Sequence, residues 1–191
     1  MKKVLSVLLV CVLILGVFTA CSKKTQESAT TTTAAAAVDG KEATVEYKAE
    51  NVKAKLTLPE FGDIEMETED VEGEGATYIK VYTANPDKQA YADVEMHLTI
   101  ATDDLKQKTL AGEREGSNAE FKKQTINGYE CGYYKFPDDG ERSLEYVLYT
   151  TRDNGDAVEL SVLIQDTFSD LSEEEWTELC DSIEQSVGFN F

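Results

Sequence analysis

Residues 143–165 read SLEYVLYTTRDNGDAVELSVLIQ. In the second half of this stretch, every second residue is apolar: Val158, Leu160, Val162 and Ile164. A period of two is typical of a β-strand with one buried face. Asn154-Gly155 stands between two apolar runs, where this pair favours a tight turn. The stretch therefore predicts an antiparallel hairpin of strands 143–151 and 157–165.

The same signals continue toward the N-terminus. Asn127-Gly128 separates residues 119–126 from residues 129–136, and short loops of this kind join antiparallel neighbours. Residues 119–165 therefore predict a four-strand meander. Period-two alternation predicts further strands, each with one wet face, at 52–58, from Ile64 onward, at 77–84 and at 92–101.

Two helices are predicted. Ser172 and Glu175 form a capping box, since the serine accepts from one free amide and the glutamate reaches back to another. One face of the following helix is apolar: Trp176, Leu179, Cys180, Ile183 and Val187. We assign this face to packing on the sheet and end the helix at Gly188. A thinner apolar stripe predicts an earlier helix over roughly 103–115. An antiparallel sheet followed by a C-terminal helix is an α+β domain.

The order of these strands and of the final helix resembles that of a known fold family. Residues 128–134, 146–149 and 158–164, followed by the capped helix as far as Ile183, resemble the Mog1/PsbP-like fold. The resemblance covers about residues 50–190 and implies a central antiparallel sheet with helices on both sides. Members of that family include binding and assembly factors, so the resemblance implies no single activity and carries over no catalytic residue. The wet faces of strands 52–58 and 92–101 predict incomplete helical cover.

The N-terminal residues have the composition of an export signal. Two lysines precede an apolar run from Val4 to Phe18, which is too short to span a bilayer comfortably. Phe18-Thr19-Ala20-Cys21 resembles the lipobox of bacterial lipoproteins, with phenylalanine where leucine is usual. This resemblance implies that residues 1–20 are a signal peptide and that a diacylglyceryl group on Cys21 anchors the protein to the extracytoplasmic face of the cell membrane. An ordinary cleaved signal or an uncleaved anchor is the alternative.

The segment after Cys21 predicts a spacer. Residues 21–44 are rich in Ser, Thr and Ala, without an apolar period, and predict a flexible tether. Residues 45–191 have a size that is common for one globular domain.

The chain is strongly acidic, with a formal net charge of −19. Lys2 and Lys3 are the only charges in residues 1–20, and residues 21–44 carry three charges of each sign, so residues 45–191 carry −21. Such a surface repels phosphates and anionic lipid, which excludes nucleic acid as a partner. The charge serves solubility, or it attracts cations or a basic partner.

The densest acidic stretch spans residues 60–74. Glu65 and Glu67 alternate with Ile64 and Met66, so we expect these carboxylates on the wet face of a strand. A calcium site, which needs several oxygens converging on one point, is the alternative. The acidic turn before residue 157 lacks the spacing of an EF-hand loop.

Two cysteines fall within the predicted domain. Cys131 lies on a predicted strand, and Cys180 lies on the apolar face of the last helix. A disulfide between them would close a loop of about 50 residues, and two buried free thiols are the alternative. Neither is part of a C-x-x-C motif, which argues against redox catalysis and a zinc cage.

Catalytic motifs do not occur in the sequence, neither G-x-S-x-G, nor a phosphate loop, nor H-E-x-x-H. His97 is the only histidine and shares a predicted strand face with Glu95 and Thr99. We interpret it as an exposed strand residue, with a general base or metal ligand as the alternative. We therefore expect no enzyme, no cofactor and no metal, although 37 acidic residues leave a glycosidase-like carboxylate pair open.

Five tyrosines lie on adjacent predicted strands: Tyr129, Tyr133, Tyr134, Tyr146 and Tyr149. They pack across the strands, or they form an exposed patch that binds a partner. The sequence as a whole predicts a membrane-anchored extracytoplasmic lipoprotein whose domain is a non-catalytic binding or accessory module contacting another envelope component. A small-ligand or cation-binding lipoprotein and a carboxylate-based envelope hydrolase are the alternatives.

Overall fold

The structure, a computed structural model, describes residues 42–59, 61–71, 73–114, 117–137 and 140–191. The regular elements in these ranges are β1 (Glu42–Tyr47), β2 (Val52–Thr57), β3 (Ile64–Val71), β4 (Glu74–Tyr82), β5 (Tyr91–Ala101), α1 (Asp103–Leu110), β6 (Glu120–Ile126), β7 (Tyr129–Lys135), β8 (Arg142–Thr151), β9 (Ala157–Asp166), α2 (Glu173–Ser186) and β10 (Gly188–Asn190). A single 3₁₀ turn joins β1 to β2.

The signal peptide predicted at residues 1–20, the lipidation site Cys21 and most of the predicted tether lie outside the described residues. No helix within the described ranges is long and apolar enough to cross a membrane.

Seven strands form one antiparallel sheet in the order β3-β4-β5-β9-β8-β7-β6. The predicted meander is confirmed, since β6, β7, β8 and β9 are neighbours in chain order. The strands predicted from Ile64 onward, at 77–84 and at 92–101 supply the other half as β3, β4 and β5, whereas the strand predicted at 52–58 is β2 of the small sheet. Strand β5 joins the halves by pairing with β9, for example Met96 with Val162. With two helices packed on mostly antiparallel sheets, the predicted α+β class is confirmed.

A second sheet, in the order β1-β2-β10, was not predicted. Strand β1 begins at Glu42, three residues before the predicted start of the domain at residue 45, and the side chains of Ala43 and Val45 are buried. Alternation in a strand of six residues next to a Ser/Thr/Ala tract is too short to stand out from the tract. Helix α2 ends at Ser186, and Gly188 starts β10 instead of capping the helix.

The main core lies between the small sheet, helix α2 and the inner face of the large sheet. The predicted capping box of α2 is confirmed, with Glu175 N donating to Ser172 Oγ at 3.2 Å and Ser172 N donating to Glu175 Oε2 at 2.9 Å. Leu179 and Ile183 are buried against the sheet. Burial raises the pKa of Glu175, but hydrogen bonds from Thr83 and from the Ser172 and Ala84 amides outweigh it and lower that pKa to about 2.

Helix α1 covers part of the opposite, outer face of the large sheet. Thr102 caps it by accepting from Leu105 N at 3.2 Å. The helix stops at Leu110, earlier than the predicted 115, because the chain turns at Gly112 with φ +78°. A Cβ at Gly112 would lie 2.7 Å from the Phe121 ring, so only glycine fits this turn.

Candidate functional site

The outer face of the large sheet is organised in rows, since directly paired residues of neighbouring strands share a face. The central row, from β3 to β7, contains Glu67, Tyr78, Glu95, Leu163, Glu145 and Tyr134. In the row on one side, His97 stands opposite Ser161, and on the other side Asp93 stands opposite Gln165. Polar and charged side chains therefore occupy this outer face. A sheet face that is covered by a second layer of secondary structure carries apolar side chains instead.

A groove of about 840 Å³ lies on this face, and we call it the outer-face groove. Its floor comes from three adjacent strands: Glu95, His97, Ser143, Glu145, Ser161, Leu163 and Gln165. Its wall comes from the segments that follow α1 and β7: Arg114, Ser117, Asn118, Phe136, Pro137 and Glu141. A cavity of this size with a few converging polar groups is typical of a ligand site.

Arg114 and Glu145 form the best-defined polar contact of the groove. Glu145 is only 6% exposed, and its two oxygens are occupied, one by Arg114 Nη1 and the other by Ser161 Oγ at 2.8 Å. The Arg114 guanidinium lies 4.8 Å from the centre of the Tyr134 ring and 5.7 Å from that of Phe136. Ring contacts and ion pairing fix the guanidinium at the groove wall.

His97 lies among carboxylates at the other side of the groove. Its ring nitrogens are each 3.5 Å from a carboxylate, Nδ1 from Glu74 and Nε2 from Glu95. Its ring meets the edge of Tyr78 with centroids 5.8 Å apart. The predicted strand position beside Glu95 is confirmed, with a partly exposed ring. In the described part of the chain, no group of three or more His, Cys, Asp or Glu residues has a geometry that would hold a metal ion.

The carboxylates on this side influence one another. Burial, and then the charge of Glu95, raise the pKa of Asp93, while Lys80 opposes them. Burial and the charges of Glu69, Glu95 and Glu74 raise the pKa of the Tyr78 hydroxyl. The negative charge on this part of the face is therefore incompletely compensated.

Glu95 and Glu145 are the two carboxylates on the floor of the groove, where they flank Leu163 in the central row. Neighbouring strands are about 4.8 Å apart, so the two backbones are separated by roughly 10 Å. Both Glu145 oxygens accept from protein donors, Arg114 and Ser161, so neither oxygen is free to contact a substrate. The arrangement is suited to binding a ligand and poorly suited to general acid catalysis.

The five tyrosines do not form an exposed patch, and that alternative was wrong. Tyr134, Tyr146 and Tyr149 are buried, and only Tyr129 and Tyr133 are partly exposed. They also divide between the two faces of the sheet: three belong to the main core, and two lie under α1. Core and cross-strand packing, such as the 5.5 Å contact of the Tyr133 and Tyr146 rings, is their role.

The acidic residues of β3 follow the prediction of a solvated strand face. Glu65, Glu67 and Glu69 are exposed and alternate with the partly buried Ile64 and Met66. The acidic segment between β8 and β9 is a turn, as predicted, closed by a 2.9 Å hydrogen bond between the backbones of Arg152 and Asp156.

Cys131 and Cys180 are both free thiols in the structure, as in the alternative without a disulfide. Cys131 is buried in β7, and Cys180 is partly exposed on α2. Burial raises the pKa of each thiol to about 12. Both thiols are therefore mainly protonated at neutral pH, which makes them weak nucleophiles in the folded protein.

We expect Cys131 to resist iodoacetamide at pH 8 in the folded protein and Cys180 to react slowly, because the thiolate is the reactive form. Peptide mass mapping after native alkylation measures both sites. In denaturant without reductant, both should alkylate fully. Reaction in denaturant only after reduction would contradict this result and restore the disulfide.

Arg114 was not identified from the sequence, although it forms the wall of the groove. An isolated arginine after a short helix has no motif, and its partner Glu145 is distant in the chain. The groove floor was missed for the same reason, because it depends on the pairing of β5 with β9. The one available signal was the period-two polar face of strand 92–101, which predicted incomplete cover.

Comparisons with known proteins give limited likenesses. No protein-family model and no curated protein sequence matches the chain. The solved structure of LpqN, involved in cell envelope biogenesis of Mycobacterium tuberculosis, is similar with a TM-score of 0.42 and 11% identity, over 76% of this chain and 95% of LpqN. A structure from Bacteroides thetaiotaomicron VPI-5482 is similar with a TM-score of 0.40 and 18% identity, over 80% of this chain and 49% of that one. These values are too low to carry an argument about function.

Proposed function

We propose that this protein is a lipid-anchored extracytoplasmic lipoprotein whose domain is a non-catalytic binding module with a Mog1/PsbP-like fold. The anchor is the Cys21 sulfur at the end of the lipobox-like Phe18-Thr19-Ala20-Cys21. The outer-face groove is the binding surface for another envelope component. The observation that carries this role is the groove of about 840 Å³ on a polar sheet face.

The contacts of Glu145 argue against the hydrolase alternative. A hydrolase would need a protonated carboxylic acid facing a second carboxylate, whereas Glu145 is held by Arg114 and Ser161. A small-ligand lipoprotein uses the same groove, and the two differ in what occupies it. The volume of the groove suits either a compact ligand or a short segment of a protein partner.

The anchor is tested by substituting Cys21 in the producing cell. We expect the wild-type chain to incorporate labelled fatty acid, to begin at a modified Cys21 and to require detergent for release from membranes, because two acyl chains hold a protein stably. The C21S variant should lack the label. A wild-type mature chain that begins elsewhere or carries no lipid would refute the anchored lipoprotein.

The binding surface is tested by photo-crosslinking in intact cells. A crosslinker replacing Ser161 on the groove floor should capture one envelope component, and a Ser143→Trp substitution that fills the groove should abolish the product. A crosslinker replacing the exposed Lys53 on the small sheet is the matched control and should give no such product. Equal products from both positions, or none from residue 161, would overturn the assignment of the groove.

A further inference from the structure

Beside the outer-face groove, three strands form a trough whose chemistry points to the occupant of this surface. We call it the acidic trough. One rail comes from β3 (Glu65, Glu67 and Glu69), the other from β5 (Asp93 and Glu95), and the floor between them comes from β4 (Tyr78, Lys80 and Tyr82). Glu95 belongs to both the trough and the groove, so the two surfaces are continuous. Among the described residues, α1 packs mainly over β7 and β9, and the floor side chains Tyr78, Lys80 and Tyr82 are partly exposed.

The positive groups in the trough compensate the charge of its rails only in part, since Lys80 lowers the pKa of Asp93 but burial outweighs that effect. Lys80 donates to the Tyr91 hydroxyl at 3.2 Å and lies 4.2 Å from the centre of that ring. His97 is shared between Glu74 and Glu95 at the edge of the trough. The Tyr82 hydroxyl donates to Glu65 at 3.1 Å. Because this hydroxyl is neutral, it does not compensate the charge of the carboxylate. Burial is the largest cause of the raised pKa values of Asp93 and Tyr78, and the charge of Glu95 adds to both, while Lys80 opposes the shift at Asp93.

The spacing of the rails matches an extended chain. Along β3 the outward carboxylates recur at every second residue, or about 6.8 Å, which is also the repeat of same-side residues in any extended segment. The two rails are separated by two strand spacings, roughly 10 Å, with tyrosine rings between them. A segment lying along β4 places its basic side chains within reach of either rail and its cations over Tyr78 and Tyr82.

We propose that the acidic trough docks an extended, Lys/Arg-rich segment of the envelope partner. The inference rests on the proposed function of the groove as a binding surface and adds the chemistry of what binds there. Carboxylate rails and tyrosine faces both favour cations, and cation–π contacts strengthen where water is excluded. An acidic peptide or an anionic lipid headgroup is repelled by the same residues.

The test uses the full chain in neutral detergent and a labelled peptide of alternating lysine and threonine, with a glutamate–threonine peptide as its counterpart. We expect the basic peptide alone to bind and to shift amide resonances of β3, β4 and β5 while leaving β1, β2 and β10 unchanged. The double variant Glu67→Gln, Glu95→Gln should weaken binding about tenfold, because one charge is removed from each rail. Tyr78→Leu should weaken binding about threefold through the lost cation–π contact.

The matched control is Glu174→Gln, Glu178→Gln, which removes the same charge from exposed positions on α2. It should change affinity less than about twofold, because exposed distant charges are screened by salt. Equal loss of peptide affinity in both double variants would show that the effect comes from net charge alone. That result would refute the acidic trough as the binding site. Trough resonances that shift with neutral chitotetraose and not with the basic peptide would overturn the occupant.

The outcomes also separate this inference from the proposed function. If residue 161 crosslinks an envelope component in cells while the basic peptide fails to bind, the binding module stands and its partner is not basic. If residue 161 gives no crosslink, the proposed function fails whatever the peptide does. Unchanged thermal unfolding of every variant shows that the fold is intact.

Discussion

Replacing Asp166 with alanine is expected to lower the free energy of unfolding by about 3–5 kcal/mol, as for other broken buried ion pairs. Asp166 is 1% exposed and accepts hydrogen bonds from Arg142 and from the amides of Asp170 (3.1 Å) and Leu171 (3.2 Å). Its removal leaves these donors unsatisfied in a buried site. Urea denaturation followed by circular dichroism measures the loss.

Asp166 contributes this much to stability because its hydrogen bonds connect the end of β9, the start of β8 and the turn into α2. Arg142 donates to Asp166 and to the Leu171 carbonyl, and its guanidinium lies 5.0 Å from the Trp176 ring. Within the tied turn, Phe168 has φ +97°, a conformation that bulky residues rarely adopt. The hydrogen bonds of Asp166 hold the chain in this strained form, so its loss should release the turn as well.

The control for this prediction is Lys55→Ala. Lys55 also forms an ion pair, with Glu42 at 2.7 Å, but both side chains are about half exposed. Solvent screening makes such a pair worth less than about 1 kcal/mol. Similar losses for both variants would show that burial of the Asp166 network contributes nothing.

The parts of this fold that sequence could predict are those with local signals. The α2 helix was predicted because its cap, acidic first turn and apolar face all fall within sixteen residues. The meander was predicted because each of its turns lies between two short alternating runs. Neither signal depends on which distant segment packs against the element.

The parts that were missed depend on contacts between distant segments. The pairing of β5 with β9 joins Asp93 to Gln165, and no residue pattern near either strand indicates the other. The outer-face groove follows from that register, whereas the acidic trough follows from the pairing of β3, β4 and β5, which are neighbours in chain order. The sequence therefore indicates the candidate site only as strands with polar faces. The pairing of the strands is needed to show which of these polar residues lie next to one another.

Strand β1 is the clearest example of an element that the sequence did not predict. Its contact with β4 leads to a second prediction of a large loss of stability. Gly75 in β4 lies directly under β1, so that a Cβ added there would be 2.2 Å from the Glu46 carbonyl oxygen and 2.6 Å from its carbon. Thr77, two residues on, donates to the Thr44 carbonyl at 3.0 Å. The close approach of the two backbones explains why glycine is required at this position.

We expect Gly75→Ala to lower the free energy of unfolding by about 3 kcal/mol, the upper range for overpacking, because backbone atoms cannot move aside as a side chain can. The displaced β1 would expose Ala43 and Val45, so amide hydrogen exchange in β1 should accelerate before that in the meander. Gly188→Ala is the matched control, since its Cβ would meet only the Tyr129 ring at an ordinary 3.7 Å. It should change stability by less than about 1 kcal/mol. Unaltered exchange in β1 of Gly75→Ala would mean that β1 does not pack on β4 at this point, and the close contact of these two strands would have to be abandoned.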